Sequence, residues 1–520
     1  MKDSRLTADR IWELVGLRAA ATPEAVLAYD EHGRQLTFGG LEADAKRVAA
    51  GLARRGVRRG TVVSWQLPSR LETIVVIAAL ARLGAVQNPL IMMLREPDVR
   101  FICAQAGSEL LLVPPDFRGF PHAEMAAAVA RDVPGLDVLV IDGALPEGDP
   151  AQLEPESASP RVRWLFYTSG TTASPKGARH TDPGLIAAST TFCAAIRPGP
   201  QDRVAALAPM AHVGGVLHVV TALQTGCALL VSDVFSPAST QLLSERQVTF
   251  GGNGVPFART LIEQQRARPD RPLFPGLKAF LVGGAPRTAA LHEEIRSVLG
   301  GVGVVSGYGL TECPYFAWAA PGDGDHELAT TEGRPGPGAQ ARIVRSDGTE
   351  AAPGESGELR VKAPQLMLGY VDADLDSDTF DGDGYFRTGD LAMLDEKGYL
   401  TITGRLKDVI IRNMENISAR EVEEALLACP GVADAAVIGL PDTVTGERVC
   451  AVVVPANPAD PPVFEELCAR LLAGGLNKRK LPVQLELVED LPRNALLKVV
   501  KRELRERFAP RGQSTSPGRA

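Results

Sequence analysis

The sequence lacks the marks that would tie it to a membrane, a nucleic acid or a structural metal. Its 7 cysteines are odd in number and form no C-x-x-C pair, which excludes a disulfide framework or cysteine zinc site and suits a reducing cytoplasm. The 7 histidines show no ligand spacing either. Basic charge is not in excess: 55 Lys and Arg face 63 Asp and Glu, the net charge is −8, and the two signs are interspersed, so nucleic acid is not an expected partner. The most apolar stretch, Ile74 to Leu94, is broken by Arg82, Asn88 and Pro89 and reads as a buried helix and turn rather than a transmembrane segment. The opening MKDSRLTADRIWELVG mixes charges from the start and has no signal-peptide core. No internal repeat is present. These absences lead to the expectation of a soluble, cytoplasmic protein.

What is present is an ordinary globular balance, 45% hydrophobic and 23% charged, over 520 residues, more than one core normally serves. The 52 glycines and 39 prolines point to many tight connections. In the first half, strand-like and helix-like segments alternate. Leu41, Ala45, Val48 and Leu52 recur at helical spacing, GTVVSWQL reads as a strand, and ETIVVIAALARLG as a helix stopped by Gly84. SELLLVP, LDVLVID and RWLFYTSG continue the series. The fold class is therefore a large α/β N-terminal domain whose strands deliver motifs at their C-terminal ends, where open α/β sheets bind ligands.

The character changes after Gly404. Ser418 and Glu421 have capping-box spacing ahead of Val422, Leu426 and Cys429, and the strands DAAVIGL, ERVCAVVVP and QLELVE interleave with two further helices. This predicts a small α+β C-terminal domain. The boundaries are 1–404 for the large domain, 405–508 for the small one and 509–520 for a tail too poor in apolar residues to pack.

The chemistry begins at YTSGTTASPKG, residues 167–177. Short hydroxyl and glycine residues leave backbone N–H groups reachable, and consecutive N–H groups with a nearby ammonium make an anion site suited to a phosphate chain. The ordinary P-loop is disfavoured, because no Gly-Lys-Ser/Thr triplet follows. Taken alone, the stretch also reads as a solvated turn. Downstream come PMAHVGG (209–215), VGGAP (282–286), GYGLTE (307–312), YFRTGD (385–390), GRLKD (404–408), MENISAREVE (414–423) and LPRNALLKV (491–499). In that order and at those separations they resemble the adenylate-forming superfamily of acyl-CoA synthetases, over about residues 15–508.

The resemblance implies an acid-thiol ligase that uses ATP, Mg²⁺ and coenzyme A: a small carboxylic acid becomes an acyl-AMP, pyrophosphate leaves, and the acyl group passes to the thiol. It assigns triphosphate binding to Thr168, Ser169, Gly170, Thr171, Thr172 and Lys176. Tyr308 and Gly309 would lie against adenine, with Gly283, Gly284, Ala285 and Pro286 forming the flat slot opposite. Thr311 and Glu312 would meet the α-phosphate and Mg²⁺, a hard cation that prefers oxygen. Asp390 would hold the ribose hydroxyls, with Arg405 assisting. Lys498 would be catalytic: the acid, with a pKa near ~4, is already ionised, so it needs charge cancellation rather than a base. Lys407 and Asp408 match the hinge on which the small domain turns between half-reactions.

For the acid, the resemblance places His212 beside the reacting carboxylate and makes Val213, Gly214, Gly215, Asn253, Val255 and Gly307 the acyl wall. This segment has no aspartate to hold an α-ammonium, which disfavours an amino acid, since a buried unpaired ammonium is costly. The region from VVSWQLPSR to VQNPL resembles medium-chain and cyclohexanecarboxylate-type CoA ligases, so a fatty, alicyclic or aromatic acid is expected. Met414, Glu415, Asn416, Arg479 and Lys480 are the expected coenzyme A contacts. Ala173, Met414 and Leu497 depart from the commonest family form, and Met414 falls beside the expected thiol tunnel. That leaves open an acyl-AMP ligase loading a carrier protein, or a non-catalytic nucleotide-binding regulator; a homodimer is also left open.

Overall fold

The computed structural model describes residues 5–155, 161–168, 175–252, 254–283, 288–413, 415–442, 444–493 and 499–509. Among them, the N-terminal region builds two sheets of βα units. One has six strands in the order Asp137–Val140, Leu110–Val113, Val62–Trp65, Val86–Pro89, Trp164–Thr168, Lys176–His180. All pair in parallel except the last, which returns antiparallel from Trp164–Thr168. The other has nine strands. Its parallel middle runs Val304–Leu310, Ala279–Gly283, Phe250–Gly252, Arg203–Ala206, Ala228–Val231, Val26–Asp30, and antiparallel strands close both edges.

Local sequence accounts for the helices between these sheets. Phe38–Ala53 is capped by Thr37, whose hydroxyl accepts from Gly40 N, and it buries Leu41, Ala45, Val48 and Leu52 on one face. Leu71–Leu83 is apolar almost all round and correspondingly buried, and Gly84 ends it at φ +71°, a left-handed turn that glycine adopts without strain. These helices, with Asp182–Ile196 and Val213–Thr225, form one hydrophobic core with the two sheets. No helix among the described residues is long and apolar enough to cross a membrane.

A four-stranded antiparallel sheet follows, in the order Gln340–Val344, Gly357–Lys362, Phe386–Leu394, Leu400–Arg405. Beyond it, Glu415–Ser418, Val409–Arg412, Gly446–Pro455 and Val432–Asp442 form the C-terminal sheet, with Gln484–Leu487 parallel to Gly446–Pro455. The helix Ala419–Leu427 packs on this sheet through Val422 and Leu426. Only half of the expected capping box forms: Ser418 Oγ accepts from Glu421 N at 3.4 Å, while the Glu421 carboxylate turns instead to Lys480 Nζ at 2.6 Å. An ammonium within reach gives the carboxylate a stronger partner than a backbone N–H.

Two buried histidines give the large domain a pH-dependent weakness. Burial pushes His180 and His218 down to about 4, so both stay neutral in the folded chain. Unfolded, each takes up a proton below about pH 6.5. The folded state then binds fewer protons, and stability falls as pH drops from 6.5 towards 4. We expect roughly 2 kcal/mol lost per histidine at pH 5 relative to pH 7. Urea melts at the two pH values should show it, and His180→Gln should remove about half the difference.

Candidate functional site

The predicted phosphate loop joins two paired strands. Thr168 lies opposite Lys176 in register, so both ends of the loop sit at one sheet edge. Gly177 must be glycine here, because a β-carbon would stand 2.6 Å from the Tyr167 ring that crosses it. Ser169, Gly170, Thr171, Thr172 and Ala173 lie outside the described residues, as do Asn253, Gly284, Ala285, Pro286, Met414, Leu497, Lys498 and the tail from Pro510 onward. The side chains of Val255 and Asn416 are likewise outside.

Residues 366–371 strap this edge to the Thr311–Glu312 turn. Val371 N donates to Gly177 O at 2.7 Å, Met367 N to Glu312 O at 2.8 Å, and Leu368 N to Arg179 O at 2.8 Å. Tyr370 Oη donates to Glu312 Oε1 at 2.7 Å, and Lys176 Nζ stands 5.6 Å from the centre of the same tyrosine ring. Burial and the Glu312 charge push the Tyr370 phenol upward, so it remains a donor. His180 Nε2 donates to Thr311 O at 2.8 Å, consistent with a neutral imidazole. Lys176, Thr311 and Glu312 are thus brought together through Tyr370, a residue with no motif signal in the sequence.

The second part of the site lies at the C-terminal ends of Ala279–Gly283 and Val304–Leu310. Gly283 and Gly307 are register partners there, with Tyr308 next along the strand. Tyr308 Oη donates to Asp390 Oδ2 at 2.6 Å, and Arg405 Nε donates to Asp390 Oδ1 at 2.8 Å. Asp390 and Arg405 face one another because their strands pair in that register, which makes YFRTGD and GRLKD two sides of one hairpin. Asp390 is only 4% exposed, and burial together with the Asp390 charge holds the Tyr308 phenol well above its usual value.

The expected acyl wall divides. His212 caps Val213–Thr225, its Nδ1 accepting from Gly214 N at 3.2 Å, which leaves Nε2 as the protonated nitrogen. A β-carbon on Gly214 would stand 3.9 Å from Tyr315 Oη, so this glycine faces an aromatic ring. Val213 belongs to the main core, and a β-carbon on Gly215 would strike Pro209 O at 2.3 Å. Gly215 therefore serves close backbone packing. Gly307 is covered by the Trp318 indole, which a β-carbon would meet at 2.4 Å.

At the hinge, Leu406–Asp408 forms a single 3₁₀ turn, and Asp408 Oδ1 accepts from Arg505 Nη2 at 3.0 Å. Burial and the neighbouring Arg405 lower Lys407. The large and small domains also meet at Ser418 Oγ, which donates to Thr403 O at 2.7 Å, and at Arg420, 3.5 Å from Glu332. The basic run expected to reach coenzyme A is engaged internally: Arg479 pairs with Glu415 and Lys480 with Glu421. Arg493 and Val499, which flank the Lys498 segment, bridge to each other.

Known proteins share this chain's sequence pattern and fold. Residues 17–371 match the family model of the AMP-binding enzymes, and residues 421–498 that of the AMP-binding enzyme C-terminal domain. A medium-chain fatty-acid–CoA ligase of Escherichia coli is 30% identical over 94% of this chain and 88% of its own length. A sulfoacetate–CoA ligase of Cupriavidus necator is 32% identical over 95% and 97%. ATP-bound MatB from Rhodopseudomonas palustris superposes with a TM-score of 0.87 at 27% identity, covering 96% of this chain and 99% of that one. With both domain models matched in order and the ends of the motif strands converging, the chain belongs to the AMP-binding enzymes, the adenylate-forming superfamily of acyl-CoA synthetases.

Proposed function

We propose that the cleft joining Lys176, Glu312, Tyr308 and Asp390 holds ATP for attack by a carboxylate. The chain is an ATP-dependent, AMP-forming acyl-CoA ligase working through an acyl-AMP. The observation that carries the residue assignment is the convergence, through the 366–371 strap, of segments far apart in sequence. In this reading Lys176 and the loop before it take the β- and γ-phosphates. Tyr308 lines the adenine slot with Gly283, and Asp390 takes the ribose hydroxyls beside Arg405. A carboxylate has about four lone-pair sites, enough for Tyr308, Arg405 and both hydroxyls together.

Glu312 suits Mg²⁺. One oxygen is held by Tyr370, and the other accepts no hydrogen bond from any described residue. No cluster of three or more His, Cys, Asp or Glu side chains occurs among the described residues, so a protein cage is not offered. A single carboxylate fits a hard cation that keeps waters and shares phosphate oxygens. When bound, the ion neutralises phosphate charge. Tyr370 fixes the Glu312 carboxylate, His180 fixes the Thr311 carbonyl, and Lys498 bridges the two anionic reactants.

The acid is one without an α-ammonium, since the 209–215 segment supplies no carboxylate, and free coenzyme A is the acceptor. The test is nucleotide analysis across a panel of carboxylic acids. AMP and pyrophosphate should appear in equal amounts and only with a suitable acid. ADP as the product would refute the reading.

A further inference from the structure

Lys176 and Glu312 carry opposite charges, both are half-buried, and both touch Tyr370. They do not pair with each other. Lys176 Nζ has no hydrogen bond or ion pair to any described residue, and what it meets is the Tyr370 ring, 5.6 Å from Nζ to the ring centre. Glu312 Oε1 accepts from Tyr370 Oη at 2.7 Å, and the carboxylate forms no ion pair with any described cation. An ammonium and a carboxylate that share a neighbour in a partly desolvated cleft attract one another strongly, so their separation needs a cause.

Tyr370 is well placed to be that cause, because it is held from several sides. The residue is 4% exposed and packs in a cluster with Ala178, Phe316 and Met367. Its backbone N donates to Asp376 Oδ1 at 2.8 Å, Val371 N beside it donates to Gly177 O at 2.7 Å, and Ala178 and Tyr370 form an antiparallel bridge. Asp376 in turn stands 3.7 Å from Arg179. Gly369, just before the tyrosine, turns at φ +113°, a conformation open to glycine without strain. A strap anchored in this way cannot easily swing the ring aside.

Resting on the nucleotide-site reading above, we propose that Tyr370 is a positioning residue that acts as a spacer: it keeps Lys176 and Glu312 from neutralising each other, so that the ammonium stays available to phosphate oxygens and the carboxylate to a hard cation. Ring and phenol have separate tasks. The ring face attracts the ammonium only weakly at a partly exposed site, so a phosphate can take it over. The phenol donates to one carboxylate oxygen and leaves the other to accept elsewhere. A lysine paired with Glu312 would have to break that pair before meeting ATP, and the same pair would occupy the carboxylate that a hard cation needs.

The experiment is calorimetric titration of the protein with ATP in EDTA, without metal or acid, so that turnover plays no part. Tyr370→Leu removes the spacer and should bind ATP about 10-fold more weakly than Tyr370→Phe, which keeps the ring. Glu312→Gln then supplies the decisive comparison. It removes a negative charge in any background, but in the Tyr370→Leu background it also releases Lys176, so its gain there should exceed its gain in the wild-type background by about 10-fold. A tyrosine needed only for packing would change affinity without changing that difference. Equal gains in the two backgrounds would overturn the spacer and leave the nucleotide-site reading standing. If Lys176→Met binds metal-free ATP as tightly as the wild type, Lys176 does not meet the phosphates and both fall.

Discussion

Replacing Lys498 with alanine should slow acyl-adenylate formation by about 10²- to 10³-fold or more, the scale seen when one preorganised charge partner of a transition state is removed. The acid and the α-phosphate are both anionic, and nothing else assigned to the cleft places a cation between their reacting oxygens. An ammonium there stabilises the crowded transition state more than either separated reactant, so the loss should fall on kcat as well as on kcat/KM. The second half-reaction has no such need, since the acyl-adenylate is already formed. The variant should therefore still convert supplied acyl-adenylate and coenzyme A to thioester at close to the normal rate. Acid-dependent exchange of labelled pyrophosphate into ATP reads the first step and thioester release the second. Equal loss in both assays would contradict the assignment.

Asp390→Ala should raise the KM for ATP on the order of 10²- to 10⁴-fold. The carboxylate is 4% exposed and already oriented by Tyr308 at 2.6 Å and Arg405 at 2.8 Å, so its remaining lone pairs point in fixed directions. Charge-assisted hydrogen bonds to two ribose hydroxyls are worth about 1.5–3 kcal/mol each, and both disappear with the side chain. The Tyr308 phenol also loses its acceptor, which loosens the adenine slot. Arg405 is 46% exposed and can turn to water, so the melting temperature should move far less than the KM. An unchanged KM for ATP would remove Asp390 from the nucleotide site. Asp390→Asn keeps the shape without the charge and should fall between the two.

Much of the architecture was legible because it is local. Helical spacing in 41–52 and 71–83, and glycine at 84, are decided within a few residues, and the structure follows them. The Ser418 cap was legible for the same reason. Its reciprocal half failed because Lys480, far along the chain, offered Glu421 a stronger partner. The same competition draws Arg479 to Glu415, so two members of the basic run at 478–480 are paired with carboxylates of the same domain. Neighbouring glycines diverge likewise: Gly214 opens on Tyr315 while Gly215 packs under Pro209, a difference of helical phase that composition does not carry.

The sequence by itself determined the functional groups on offer: a hydroxyl- and glycine-rich loop ending in lysine, the carboxylates of Glu312 and Asp390, and a lysine at position 498. These are choices of functional group, and functional groups are written in residue identity. Only the tertiary structure decided which groups meet. Tyr370 reaches Glu312, Asp390 faces Arg405 and Trp318 lies over Gly307 because strand register and a short strap bring distant backbone into contact. Register depends on the packing of whole faces against one another, a sum over many weak contacts that no short stretch of sequence contains.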